Sequence, residues 1–220
     1  MTPDEPFVRW DWIAANLDDI GKRTWEHVLM TAIAVGIGFL ISLALSILIL
    51  RWRRLSGLVL GASGVLYAIP SLGLFALLIP FTGVSLLTAE IALVSYTLLI
   101  LVRSIVAGFD GVPGDVLESA AGMGLGWWQL LWRVQLPLAL PTIVAGLRIA
   151  TVTTVGLVAV TALIGQSNLG SLIVQLGIRD SFPTAILVGA AGSVLLGLLA
   201  DLGFAGLQRL LTPWARARSG

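Results

Sequence analysis

From Val28 to Leu50 the chain reads VLMTAIAVGIGFLISLALSILIL, 23 residues without a charge, and Arg51-Trp52-Arg53-Arg54 follows at once. At about 1.5 Å of rise per residue, a helix of that length crosses a hydrocarbon core about 30 Å thick. Inside such a core each backbone N–H and C=O must be satisfied within its own segment, so the run predicts a membrane helix. The arginines that end it predict the return to water.

The same reading extends toward the C-terminus. Leu55 to Ala89 is uncharged and contains Pro70, Pro80 and Gly83. It predicts a second span from about Gly57 to Leu78, kinked near Pro70, and a turn around Pro80 to Gly83. Ser85 to Val106 predicts a third span with Glu90 near one end and Arg103 near the other. Residues 108–139 are polar, glycine-rich and too broken to span. Leu140 to Gly165, carrying Arg148, predicts a fourth span, and Thr184 to Leu210, carrying Asp201, a fifth. Between them Gln166 to Phe182 reads as a loop with room for a short helix.

Before the first span, Phe7 to Trp25 mixes Trp10, Trp12, Ile13, Leu17 and Ile20 with Asp11, Asp18 and Asp19. It predicts an amphipathic segment, residues 1–25, on the outer membrane interface. No basic stretch precedes an apolar core there, so it does not read as a secretory signal.

Composition agrees with a membrane chain: 57% of the 220 residues are apolar, 11% are charged and mean hydropathy is +0.98. A soluble domain carries about 25% charged residues. The expected fold class is therefore all-α, a membrane protein of five transmembrane helices. A net charge of +1 gives no basic stripe for nucleic acid. The absence of cysteine excludes disulfides, zinc–thiolate sites and thiol catalysis, and the lone His27 makes no metal cluster. No glycine-rich loop runs into Lys-Ser or Lys-Thr, so ATP is not expected to bind here and no catalytic residue is expected. With five spans, Arg51, Arg53, Arg54, Arg103, Arg133, Arg209, Arg216 and Arg218 share one side, and Arg9, Lys22, Arg23 and Arg179 the other. The richer side is expected in the cytoplasm, with the N-terminus outside and the C-terminus, including a tail at 214–220, inside.

The polar segment at 108–139 then lies on the cytoplasmic side. Pro113-Gly114 signals a helix start, and a helix from Asp115 to Leu125 is predicted, with Glu118 in its first turn. Ala120 and Ala121 are small, and Gly122, Gly124 and Gly126 end or bend the helix. A short helix with a bare face suits docking into another protein's groove. Trp127, Trp128 and Trp132 follow and are expected to anchor the loop at the inner interface, with Pro137 and Pro141 breaking it before the fourth span.

This segment resembles the coupling motif of permease subunits of ATP-binding-cassette importers. That pattern is Glu-Ala-Ala, three residues, Gly, nine residues, Ile, one residue, Leu-Pro. Glu118, Ala120, Gly124, Leu136 and Pro137 match at the same spacing, while Ser119 replaces an alanine and Val134 the isoleucine. The resemblance continues in Ala68-Ile69-Pro70-Ser71-Leu72-Gly73, in Leu78 to Gly83, in Pro141 to Arg148 and in Ile164 to Gly170. These are similar to the osmoprotectant branch, importers of glycine betaine, choline and carnitine, and the likeness covers about Thr24 to Pro213. The outer loop Gly165-Gln166-Ser167-Asn168-Leu169-Gly170 is poorer in glycine than that branch. Permeases of methionine or other amino-acid importers are the nearest confusable branch, and a non-transporting membrane scaffold or sensor is the reading from another class.

The resemblance implies a type I importer permease fold over 26–213 in the cytoplasmic (inner) membrane. It implies a second permease subunit, identical or related, two cytoplasmic ATPases that bind ATP and Mg, and an extracytoplasmic solute receptor. Glu118, Ser119, Ala120, Ala121, Gly124, Leu136 and Pro137 would form the ATPase-coupling site.

Four residues are candidates for the translocation path. Pro70 and Ser71 sit at the expected kink of the second span, where carbonyls can open to a water-filled path, and the alternative is a plain packing kink. Thr151 and Thr154 form a polar patch that either lines the path or bonds back to its own helix. Arg148 and Asp201 lie at similar depth from the cytoplasmic side. They are expected to pair and to hold the fourth and fifth spans together. Gly57, Gly61 and Gly64, at helical spacing, are expected to let helices approach closely. His27 reads as an interfacial polar residue.

Overall fold

The computed structural model describes residues 6–212, and among these every regular element is helical. Trp214, Arg216, Arg218 and the expected tail lie outside the described residues. A short α1 (Trp10–Ala15) leads into α2 (Leu17–Arg51), a single helix of 35 residues. After a tight turn come α3 (Ser56–Ala68), α4 (Ser71–Thr82), α5 (Leu86–Asp110) and the short α6 (Gly114–Gly122). A 38-residue rod, α7 (Trp127–Ile164), is followed by a short α8 (Leu169–Arg179) and by α9 (Pro183–Leu211). Four helices are long and apolar enough to cross a membrane: α2, α5, α7 and α9. A fifth crossing exists if the bent pair of α3 and α4 counts as one.

That pair departs from the kinked span expected at Gly57 to Leu78. The helix stops at Ala68, and the two pieces meet at 97°. Proline pushes the residue before it out of helical geometry. Ile69 is accordingly extended (ψ 128°), and Pro70 has ψ 136°. The carbonyl this frees on Ile69 is taken by the Tyr96 hydroxyl, which donates at 2.6 Å. Pro80, by contrast, sits inside α4, and the turn expected there lies at Gly83, whose φ of +70° suits glycine. Ser85 then caps α5 by accepting from the Thr88 N–H.

Helix α5 is the axis of the bundle. Ala89, Ala92, Leu93, Leu101, Val102 and Ile105 have no exposure. Missing side chains let its neighbours close in. A Cβ on Gly38 of α2 would run into Thr97, and one on Gly146 of α7 into Ser104. A Cβ on Gly108 of α5 would lie 3.1 Å from the Ala139 carbonyl. Gly57, Gly61 and Gly64 do not act this way: nothing lies within 4 Å of where their Cβ atoms would stand. Their spacing puts them on a face of α3 turned away from this chain.

Two further expectations shift for one reason, the unbroken length of α2. No break separates residues 17–25 from the span, so part of the amphipathic segment is the N-terminal end of that helix. His27 is therefore inside the bundle, fully buried, with Nε2 2.9 Å from the Val155 carbonyl of α7. The segment before it packs inward as well: Trp12 and Ile20 join Leu169, Leu172 and Ala185, and Trp12 meets Phe182 edge-on at 5.0 Å.

The expected loop before the fourth span is also helical. Residues 131–135 of α7 widen into π geometry just ahead of Pro137. Pro137 has no N–H for the Arg133 carbonyl, and its ring would crowd that group in a regular helix. The widened turn removes the conflict, so the rod runs on without a break.

Candidate coupling site

Helix α6 begins at the Pro113-Gly114 signal, with Pro113 extended as its N-cap. Because the first helical residue is Gly114, the first-turn acid is Asp115, and Glu118 falls in the second turn, a correction to its expected place. Asp115, Glu118, Ser119 and Gly122 repeat at helical intervals and all are exposed. The opposite face holds Ala120, only 3% exposed, beside the half-buried Val116 and Leu117. Ala121 and Met123 are exposed, Met123 at 75%. The result is a short ridge with two carboxylates and almost no bulk.

The glycine of the motif has a defined local reason. Gly124 has φ +85° and donates its N–H to the Ala121 carbonyl at 2.9 Å, while Leu125 donates to the Ala120 carbonyl at 3.3 Å. These two bonds are the Schellman C-terminal cap, which needs a left-handed residue at that position. Gly126 then starts α7, its N–H reaching the Gln129 side chain at 3.2 Å. Trp127 turns into the core, and Trp128 and Trp132 are 58% and 47% exposed.

The later residues of the motif hold the ridge in place. Leu136 and Trp127 pack against a cluster of Ile105, Phe109, Leu131, Ala139 and Ile143. Pro137 sits in the first turn after the π segment. Thus Glu118 to Gly124 form the exposed ridge, and Leu136 and Pro137 belong to the support beneath it. An ion pair adds to that support: Arg53 donates to Asp110 at 2.6 Å, joining the turn after α2 to the end of α5. No sequence pattern marks this pair, whose partners are 57 residues apart.

Deeper in the bundle, Arg148 stands at the middle of the helical stretch Leu136–Val160 and donates two bonds, each 2.8 Å, to the two Asp201 oxygens on α9. Such a fork fixes direction as well as distance. Both side chains are about one-third exposed. Thr151 and Thr154 are buried and donate to the carbonyls of Leu147 and Ala150 on their own helix. Thr151 also borders a cavity of about 600 Å³ between α2, α7 and α9. Pro70 and Ser71 lie at the break between α3 and α4, next to Ile69, which packs against Leu74, Phe75, Ala92 and Tyr96. Neither Pro70 nor Ser71 is among the residues lining the cavity that Thr151 borders. Among the described residues, no three His, Cys, Asp or Glu side chains are grouped as a metal would require.

A family described as the binding-protein-dependent transport system inner membrane component matches residues 34–216. The chain is 37% identical to the osmoprotectant import permease protein OsmW of Salmonella typhimurium, over 92% of this chain and 98% of that one. It is 35% identical to the carnitine transport permease protein OpuCB of Listeria monocytogenes, over 90% and 91%. With the glycine betaine/carnitine/choline permease protein OpuCD of Bacillus subtilis it shares 36%, over 87% and 84%. Among solved structures, the MetNI methionine transporter in an inward-facing form has a similar fold, with a TM-score of 0.80, 23% identity and coverage of 90% and 98%. An amino acid ABC transporter also matches, with a TM-score of 0.78, 17% identity and coverage of 92% and 98%. On the family match and these identities, the chain belongs to the inner-membrane permease components of binding-protein-dependent ABC transport systems.

Proposed function

We propose that this chain is the permease subunit of an ATP-driven importer of osmoprotectants such as glycine betaine, choline or carnitine. The observation that carries the solute class is the set of relatives at 31–37% identity, which are named for osmoprotectant, carnitine or choline transport. The methionine transporter, at 23%, supports the fold and not the cargo.

Coupling is assigned to the α6 ridge. Glu118, Ser119, Ala120, Ala121 and Gly124 form the contact or shape it, with Leu136 and Pro137 as its base. Two ATPase subunits, which bind the ATP and Mg, would seat on this ridge and on its counterpart in a second permease subunit. A ridge without bulk fits a groove closely. Held by the rod that includes the fourth span, it would pass ATPase closure to the path. To drive a switch, the ATPase must bind the two access states unequally, and the cap at Gly124 keeps the ridge rigid enough to transmit that difference. The ridge faces the cytoplasm in this reading, which places the N-terminal segment 1–25 outside against the solute receptor's side and the C-terminus inside. The path would pass the break at Pro70 and Ser71 and the cavity bordered by Thr151, with Thr154 packed behind it.

The test is uptake of labelled glycine betaine after a salt upshift. Cells lacking this gene and all other betaine carriers are compared with the same cells carrying wild type or Glu118→Arg. Wild type alone should restore uptake. Uptake restored equally by Glu118→Arg contradicts the coupling assignment. No uptake with wild type, its membrane insertion verified, contradicts the solute class.

A further inference from the structure

Between α7 and α9 the structure opens a groove of about 730 Å³ at the depth of the spans, with the Arg148–Asp201 pair among its lining residues. Thr153 and Ser193 also line it. The Ser193 hydroxyl bonds back to Gly189, whereas the Thr153 hydroxyl has no protein partner among the described residues. Gly156 and Gly197 keep the walls low, and nothing lies within 4 Å of a Cβ placed on Gly156.

An ion pair that is one-third open cannot face acyl chains cheaply: charged groups within spans face protein or water-filled space. This pair also has a direction. The cationic end is fixed on α7 and the anionic end on α9 by the two parallel bonds. A solute with a carboxylate at one end and a quaternary ammonium at the other has the matching arrangement. Its carboxylate can exchange onto the Arg148 guanidinium while its ammonium lies against the Asp201 carboxylate. The site then holds two opposed pairs and no net charge, the condition under which charges are tolerated away from water. The apolar walls suit the methyl groups of the ammonium.

We propose that the Arg148–Asp201 pair is a transit site for zwitterionic solute, opened by partner exchange, in addition to joining α7 and α9. This rests on the osmoprotectant reading above. It makes a distinction within that class, because choline has the ammonium without the carboxylate and should use Asp201 alone.

The experiment uses the complete importer, with its receptor and ATPases, reconstituted in liposomes, and the probes are glycine betaine and choline. Arg148→Gln should lower betaine uptake about tenfold or more, and choline uptake about threefold at most, whereas Asp201→Asn should lower both about tenfold. The neutral pair, Arg148→Gln with Asp201→Asn, keeps a hydrogen-bonding contact between α7 and α9 and removes both charges. A purely structural pair is rescued by that double change, and a transit site is not. Gly156→Leu leaves the pair intact and fills the groove. It should assemble normally and lose betaine uptake about tenfold, so the proposal stays testable if the charge variants fail to assemble. Wild-type uptake from the neutral pair, from Gly156→Leu, or from Arg148→Gln with betaine overturns the proposal. If the wild-type importer moves neither solute, the osmoprotectant reading itself has failed; if it moves betaine and the variants do too, only the transit site has.

Discussion

Two short helical segments interrupt the long helices, and they are built in opposite ways. On one side α6 and its cap, Gly114 to Gly126, expose Asp115, Glu118, Ser119, Ala121 and Gly122 and bury only Ala120 of that stretch. On the other, Asn168, Leu169, Gly170, Ser171 and Leu172 are buried to the last atom or nearly so. Asn168 donates to the Thr161 hydroxyl at 2.9 Å and accepts from the Gly170 N–H at 2.8 Å. Ser171 receives the Arg23 guanidinium of α2. One segment has its polar groups satisfied by its own chain; the other leaves its surface for something else. The same device, a break between long helices, thus serves at 168–172 as a lock and, on the coupling reading proposed above, at α6 as a socket face.

The comparison can be broken by substitutions that the two segments should answer differently. The largest effect is expected at Gly170, where a Cβ would overlap the Ala159 backbone. Gly170→Ala should destabilise the detergent-purified protein by about 3 kcal/mol or prevent its accumulation, while Gly122→Ala, with nothing within 4 Å, should not destabilise it. Equal thermal shifts would remove the distinction. Next is Asn168→Ala, which orphans buried partners and should cost about 2 kcal/mol; Ser119→Ala on the exposed ridge should stay within about 0.5 kcal/mol. Gly124→Ala should cost about 1 kcal/mol, the penalty of a left-handed conformation for a residue with a Cβ. It should also weaken ATPase co-purification, because the ridge loses its cap. Smallest in stability is Glu118→Arg, expected to leave the unfolding temperature unchanged.

Much of this was legible in the sequence because it depends on runs and spacings. Long apolar runs mark α2, α5, α7 and α9 directly. The start of α6 at Pro113-Gly114 and its glycine cap at Gly124 follow from local backbone rules, and depth along two helices is enough to put Arg148 and Asp201 at one level. What failed depended on how far a helix continues. Pro70 reads as a kink, yet the two helices meet at 97°, and the carbonyl freed on Ile69 is taken by Tyr96, 27 residues further on. Pro137 reads as a stop, yet a π turn absorbs it. His27 reads as interfacial only if the span begins beside it, and α2 begins ten residues earlier. Gly57, Gly61 and Gly64 have a packing pattern but no packing partner among the described residues, while Gly38, Gly108 and Gly146 carry close contacts. Spacing shows that a helix can approach there, and not that one does.

The contrast between lock and socket is most directly tested by accessibility. The chain has no cysteine, so a single thiol placed by Ser119→Cys reports on the ridge alone. The permease without ATPase subunits should react with a soluble maleimide at the rate of an exposed thiol, and assembly with the ATPases should slow that reaction about tenfold or more by excluding solvent from the contact. Equal labelling of the free and the assembled protein would contradict the account, because the α6 ridge would then not be where the ATPase sits.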